Sequence, residues 1–349
     1  MIDDSTSTVS QRWQFHPVSA LETHDRSWRA LNRSCGNSPL LDPAFLHPLI
    51  DEFAGADHRL ALLGDPQNPT AMAIVALQGR GAWQTFQPAN APLGAWLSRP
   101  GLSLSELLGG LLHSLPGISL VLGATQLDPD IFAREGETAS FKTLNYIETA
   151  RVVFEGDFED YWKARGKNLR HNISRQTNRL AREGVTHRLE QLREPAAMAG
   201  AVADYARLEM ASWKGAAQSA VDTADAQGRF YCKMLEDFAR QNEAVVFRYW
   251  YDDALVATDL CLEREGTLII LKTTYDETRK GTSPAHLMRY EVVREAFATR
   301  RWSRLEFYGP AQDWHRRWTD DIRTMYHANR YRWGALARLH QLLRSHPAA

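Results

Sequence analysis

The sequence predicts an α/β protein built as two tandem units, and three observations carry that prediction. The same loose order of helices, strands, a helix and a strand runs through residues 19–122 and again through residues 162–307. An apolar strand, Leu268-Ile269-Ile270-Leu271, leads through a basic, glycine-containing loop to a helix start at Ser283-Pro284. The chain has 349 residues, 44% hydrophobic and 24% charged, which is long for a single core.

Met1 to Ser10 is polar and acidic, and residues 1–12 read as a disordered lead-in. The pattern from Ser19 to Phe53 is helical, with Trp28 and Leu31 on one face and Pro43 opening a second helix. Strands are expected at Arg59–Leu63 and Ala71–Leu77, a loop at Gln87–Gly101, a helix at Leu104–Leu115 and a strand at Ile118–Leu122. The first unit is placed at residues 13–150 and the second at 151–340. In the second, helices extend to Arg240, followed by strands Ala244–Tyr251, Leu255–Glu263 and Thr267–Thr274. A helix from Pro284, with Leu287, Met288, Val292 and Val293 at helical spacing, and a strand Leu305–Phe307 complete it. In the first unit the equivalent loop, Gln78–Pro88, holds Gly79-Arg80-Gly81 but no helix cap, so that copy is expected to be degenerate.

Composition excludes several classes. A net charge of -1 exerts no global pull on nucleic acid or anionic membranes, so polyanion binding requires a local patch. Cys35, Cys232 and Cys261 are far apart, without a disulfide framework or a zinc motif, and suit a reducing cytoplasm; no metal is expected. The most apolar region, Leu102–Leu122, is broken by Glu106, His113 and Pro116 and is a poor membrane span. Walker, Gly-x-Gly-x-x-Gly, EF-hand and His-Glu-x-x-His motifs are absent. In Gly281-Thr282-Ser283-Pro284-Ala285 the proline removes a backbone N–H that a serine hydrolase would need.

Four segments, Tyr161-Trp162 through Arg170 to Gly184, Ser212-Trp213-Lys214-Gly215, Tyr275-Asp276-Glu277 with Ser283-Pro284-Ala285, and Glu306-Phe307-Tyr308-Gly309-Pro310, resemble the GNAT acyltransferases. The likeness is to the cellulose and exopolysaccharide biosynthesis branch, related to the Fem aminoacyl transferases. It implies two GNAT-like units, each a mixed, mostly antiparallel sheet flanked by helices. It also implies an acetyl-CoA or other acyl-CoA cosubstrate laid across a gap between neighbouring strands, near Lys272, Thr273, Thr274 and Tyr275. Two departures from that pattern are Ala285, where relatives have Gly, and Trp314-His315, where they have Lys after an aromatic residue.

Acyl transfer to an amine needs a phosphate cradle, a neutral amine and stabilisation of the tetrahedral intermediate. The cradle is expected from Arg279, Lys280, Gly281, Thr282, Ser283, Ala285 and His286, where charge and helix N-terminal N–H groups converge. Asp259, in an otherwise apolar strand, and Asp276 and Glu306, at strand ends, are the candidate bases. Asp276 alternatively caps the turn that follows it. His315 or Tyr308 is the candidate oxyanion stabiliser or general acid.

The helix Trp162–Arg182 has a narrow apolar seam of Trp162, Leu169, Ile173 and Leu180. Over residues 163–193, nine Lys or Arg face two Glu, a local charge of +7. Arg170 and Arg175, with Trp213 and Lys214, are therefore expected to bind a phosphorylated acceptor, either a nucleotide sugar or a tRNA acceptor stem. The leading expectation is an acyl-CoA-dependent N-acyltransferase acting on the amine of a sugar or amino-acid-like acceptor. Its rivals are an aminoacyl-tRNA-dependent Fem-like transferase and a non-catalytic polysaccharide-assembly protein.

Overall fold

The computed structural model describes residues 12–211 and 221–345. The expected lead-in at Met1–Ser10, and Trp213 and Lys214, lie outside the described residues. The chain divides into two compact units, residues 1–146 with 324–349, and residues 147–323. The expected boundary put residues 324–340 in the second unit; they group with the first, because their strand pairs there.

In the first unit, β1 (Trp13–Pro17), β2 (Arg59–Asp65), β3 (Asn68–Gly79), β4 (Ala82–Thr85), β6 (Val121–Leu127) and β13 (Ile322–Tyr331) form one sheet in that order, with β5 (Trp96–Ser98) on β3. All pairings are antiparallel except β4 with β6, which α3 (Leu104–Ser114) connects. Helices α1 (Leu21–Ser34), α2 (Pro43–Phe53) and, after β13, α10 (Gly334–Ser345) complete it. Gly79-Arg80-Gly81 is a tight hairpin turn, with all three residues at positive φ, rather than a strand-to-helix loop. A side chain at Gly81 would press against the Ile118 carbonyl at 2.5 Å.

The second unit takes up the chain within β7 (Phe141–Val153). Its sheet order is β7, β12 (Arg304–Glu306), β11 (Thr267–Tyr275), β10 (Ala254–Arg264), β9 (Ala244–Tyr251), β8 (His187–Leu192). Every pairing is antiparallel except β11 with β12. Its helices are α4 (Phe158–Ala164), α5 (Lys167–Arg182), α6 (Met198–Met210), α7 (Ala226–Ala239), α8 (Pro284–Thr299) and α9 (Asp313–Arg316). The fold is thus mixed α/β with mostly antiparallel sheets flanked by helices.

Sequence pattern explains the packing. In α5, Leu169, Ile173 and Leu180 are buried, while the arginines between them stay on the outer side. In α8, Leu287, Met288, Val292, Val293, Ala296 and Phe297 are buried, and α5 packs on α8 in one core with β9, β10 and β11. Burial of each such side chain contributes about 1.5–3 kcal/mol. Strands β7, β8 and β13 were not legible: each is partly exposed and charged, so neither alternation nor an apolar run marks it. Helix α9 ends at Arg316, and Ile322 opens β13.

Candidate active site

The parallel pair β11 and β12 is in register only from Thr267 opposite Arg304 to Ile269 opposite Glu306. Beyond that point β12 ends, while β11 continues to Tyr275, still paired with β10 on its other side. The two strands therefore separate, leaving the β12-facing edge of Ile270–Tyr275 without a strand partner among the described pairings. A bulge adds to the opening: Leu260 faces Lys272 but Cys261 faces Ile270, so Leu271 is an extra residue that bends β11. Lys272, Thr273, Thr274 and Tyr275 all lie on this edge segment. Thr274 is buried, and the Lys272 ammonium sits 5.6 Å over the Tyr231 ring instead of at the loop.

The loop that follows is more ordered locally than its sequence suggests. Asp276 accepts hydrogen bonds from Thr278 N–H at 2.9 Å and Thr278 Oγ1 at 2.7 Å, so it caps the 3-10 turn Glu277–Thr282. Thr282 Oγ1 donates to the Arg279 carbonyl at 2.7 Å, and Arg279 and Lys280 remain exposed. Gly281 is not the strained residue. Ser283 takes the left-handed conformation, φ 52° and ψ 51°, and its side chain makes no capping bond to α8. The Ser283 and His286 N–H groups donate to Lys280 and Ser283 carbonyls, both at 3.0 Å. Some of the groups expected to form a phosphate cradle are thus engaged within the turn itself, while Arg279 and Lys280 are exposed.

Beneath the opening lies a buried ion pair. Asp259 on β10 is 0% exposed and its carboxylate is 2.7 Å from Arg289 Nη1, on α8, which is 2% exposed. The contact is close but not aligned: both Asp259 oxygens, Arg289 Nε and Nη1 lack a well-directed hydrogen bond among the described residues. Phe307, the first residue after β12, gathers the surroundings. Its ring lies 5.5 Å from the Arg289 guanidinium, 4.7 Å edge-on from His315 and 5.4 Å from Trp314.

His315 is buried and stacked on Trp314 at 3.6 Å. Its Nδ1 accepts the Gln312 N–H at 3.0 Å, so the neutral ring carries its proton on Nε2. Burial, helped by the Arg289 charge, pushes its pKa down to about 4. His286 is arranged likewise: its Nδ1 accepts Trp318 Nε1–H at 3.3 Å, and burial, then Arg317 and Arg289, lower its pKa to about 4. At neutral pH both rings are hydrogen-bond donors, not imidazolium acids. Trp318 is itself tied down, its carbonyl accepting Tyr161 Oη–H at 2.8 Å and Arg165 Nη1–H at 2.9 Å.

The remaining candidates are dispersed by their partners. Glu306 is buried and ion-paired with Arg323 at 2.7 Å; the Arg323 guanidinium lies 5.2 Å from the Tyr308 ring. Tyr308 adopts φ 47° just after the strands part. On α5, Arg175 is exposed, whereas Arg170 Nε donates to the Arg165 carbonyl at 3.1 Å and is half-buried. Arg289, Trp318 and Tyr161 were missed as site residues. Arg289 falls at a core position of α8, where an arginine amid Leu287, Met288 and Val292 was the signal.

The region combines a strand that parts from its parallel neighbour, a bulge and a helix N-terminus beside the opening. Residues 167–316 match the family model described as Acetyltransferase (GNAT) domain. Among solved structures, the chain resembles the C-terminal domain of a protein assigned as a lysylphosphatidylglycerol synthetase from Agrobacterium fabrum. The identity is 13%, with a TM-score of 0.55 over 93% of this chain and 96% of that one. FemX matches at 9% identity and a TM-score of 0.55, over 95% and 99%. L-PGS from Bacillus licheniformis matches at 15% and 0.50, over 87% and 96%. At these identities the likeness is one of fold. No protein of curated function matches the sequence.

Proposed function

We propose that the second unit is an acyl-CoA-dependent N-acyltransferase acting on the amine of a sugar or amino-acid-like acceptor, by direct transfer within a ternary complex. The observation that carries this reading is the separation of β11 from β12 after three residue pairs. It leaves edge amides of Ile270–Tyr275 for a pantetheine chain, and it opens toward Arg279, Lys280 and the Ala285 N–H for the phosphates. The thioester supplies the activated carbonyl.

In this reading His315 and His286 donate hydrogen bonds from Nε2, to the carbonyl oxygen as it gains charge or to the departing sulfur. Asp259 is a framework residue locked to Arg289 and screened from any acceptor, and Asp276 holds the turn. Glu306 is held by Arg323. The acceptor amine then enters neutral from solvent or loses its proton to water. Tyr308, at the mouth of the opening, is the remaining side chain suited to proton transfer toward sulfur. The three free cysteines suit a reducing cytoplasm, and an acceptor from polysaccharide assembly suits the branch that the motifs resemble.

A second reading has its own support: an aminoacyl-tRNA donor, favoured by the exposed arginines of α5 and by the likeness of fold to FemX. Calorimetry with CoA and acetyl-CoA, followed by thiol release across amines and amino sugars, tests the first reading. Absence of CoA binding together with salt-sensitive tRNA binding would transfer the assignment to the second.

A further inference from the structure

The end of the first unit presents several large apolar side chains to solvent. On α10, Ala337 is fully buried and marks the inner side, whereas Leu339 and Leu342 are 54% and 62% exposed. Helical geometry places Ala335, Leu339 and Leu342 on one line, on the side opposite Ala337. Trp333, just before the helix, is 55% exposed, and Ile118 is 78% exposed. The Ile118 loop lies beside Trp333, because the Arg332 N–H donates to the Leu120 carbonyl at 2.8 Å.

Charge says what the face meets. Arg332 and Arg338 flank these side chains, and residues 332–349 contain no Asp or Glu. The Arg332 guanidinium lies 5.8 Å from the Trp333 ring, and Arg338 is exposed beside Leu339. Large apolar side chains with flanking arginines on one helical face are the makings of an interfacial element.

We propose that this face binds the surface of an anionic lipid bilayer. Ile118, Trp333, Leu339 and Leu342 enter the headgroup boundary, and Arg332 and Arg338 meet the lipid phosphates. A second copy of the chain fits less well, since a two-fold contact sets the same arginines against one another. A nucleic acid would use the arginines but give the exposed leucines no role. The attachment is peripheral: no described helix is long and apolar enough to cross a membrane, and α10 has 12 residues.

The test is sedimentation of the full chain with vesicles of phosphatidylcholine alone or mixed with phosphatidylglycerol. Binding is expected only to the mixed vesicles and weakens with salt. Trp333→Ser with Leu339→Gln and Leu342→Gln should lower partitioning about tenfold or more, and Arg332→Gln with Arg338→Gln by about thirtyfold. Ile118→Ser, on a separate segment, should weaken it too. For the apolar substitutions circular dichroism and the thermal midpoint should not change, because those side chains are exposed. Three results would overturn the proposal. They are no binding to phosphatidylglycerol vesicles, binding indifferent to the apolar substitutions, and a concentration-dependent dimer that those substitutions dissociate and vesicles do not compete with.

Discussion

The guanidinium of Arg289 and the carboxylate of Asp259 meet at 2.7 Å inside the core of the second unit, fastening α8 to β10 directly below the separating strands. Removing one partner strands a buried charge, whereas removing both leaves space for apolar packing. Arg289→Gln is therefore expected to cost about 3–5 kcal/mol, read from urea unfolding. The double change Arg289→Met with Asp259→Leu should cost clearly less than the sum of the single changes. Strict additivity would show that the two side chains do not act as a pair.

The two depressed imidazoles make stability depend on pH. Their ordinary value is 6.5, and each is lowered to about 4 in the folded chain. Between these values the unfolded chain binds protons that the folded one does not, so stability falls as pH drops from 6.5 to 4 and is flat above that window. For the nearly buried His315 the loss approaches about 3 kcal/mol at pH 4; His286, more exposed, contributes less. His315→Gln should flatten the profile measured by denaturant midpoints. An unchanged slope would mean that the ring titrates as if in water.

Arg279 and Lys280 are exposed and hold up no core, so replacing both with Ala should leave folding intact. CoA affinity in calorimetry should fall by about 1.5–3 kcal/mol per charge-assisted bond lost. Equal affinity in mutant and parent would reduce the loop to an ordinary turn.

Ser283 occupies left-handed backbone space without a compensating side-chain bond. Ser283→Gly is expected to raise stability by about 0.5–1 kcal/mol, since only glycine adopts that conformation freely. A loss instead would show that the hydroxyl has a partner that matters more than the backbone strain.

Arg175 separates the donor hypotheses because it is exposed and uncommitted to packing, unlike Arg170, which holds the Arg165 carbonyl. Arg175→Gln should leave CoA affinity and unfolding unchanged. If the acceptor is phosphorylated, its Michaelis constant should rise and depend less on salt. Selective collapse of tRNA binding in the same variant would favour an aminoacyl-tRNA donor.

Strongly periodic or apolar segments were legible in the sequence itself. The seams of α5 and α8, the strands β9 to β11 and the Ser-Pro helix start each carry their pattern within ten or twenty consecutive residues. Tertiary structure decided everything that depends on a distant partner. β13 lies beside β6, two hundred residues earlier in the chain, and its mixed polar sequence bears no mark of that pairing. A lone carboxylate in an apolar strand made Asp259 a candidate base from sequence; that it is ion-paired depends on the approach of Arg289 from α8. The fate of His315 was settled the same way, by the Gln312 amide on one nitrogen and by burial among Trp314 and Phe307. Periodicity reports which side of an element faces the core, whereas a titratable group takes its properties from charges and dipoles that reach it through space.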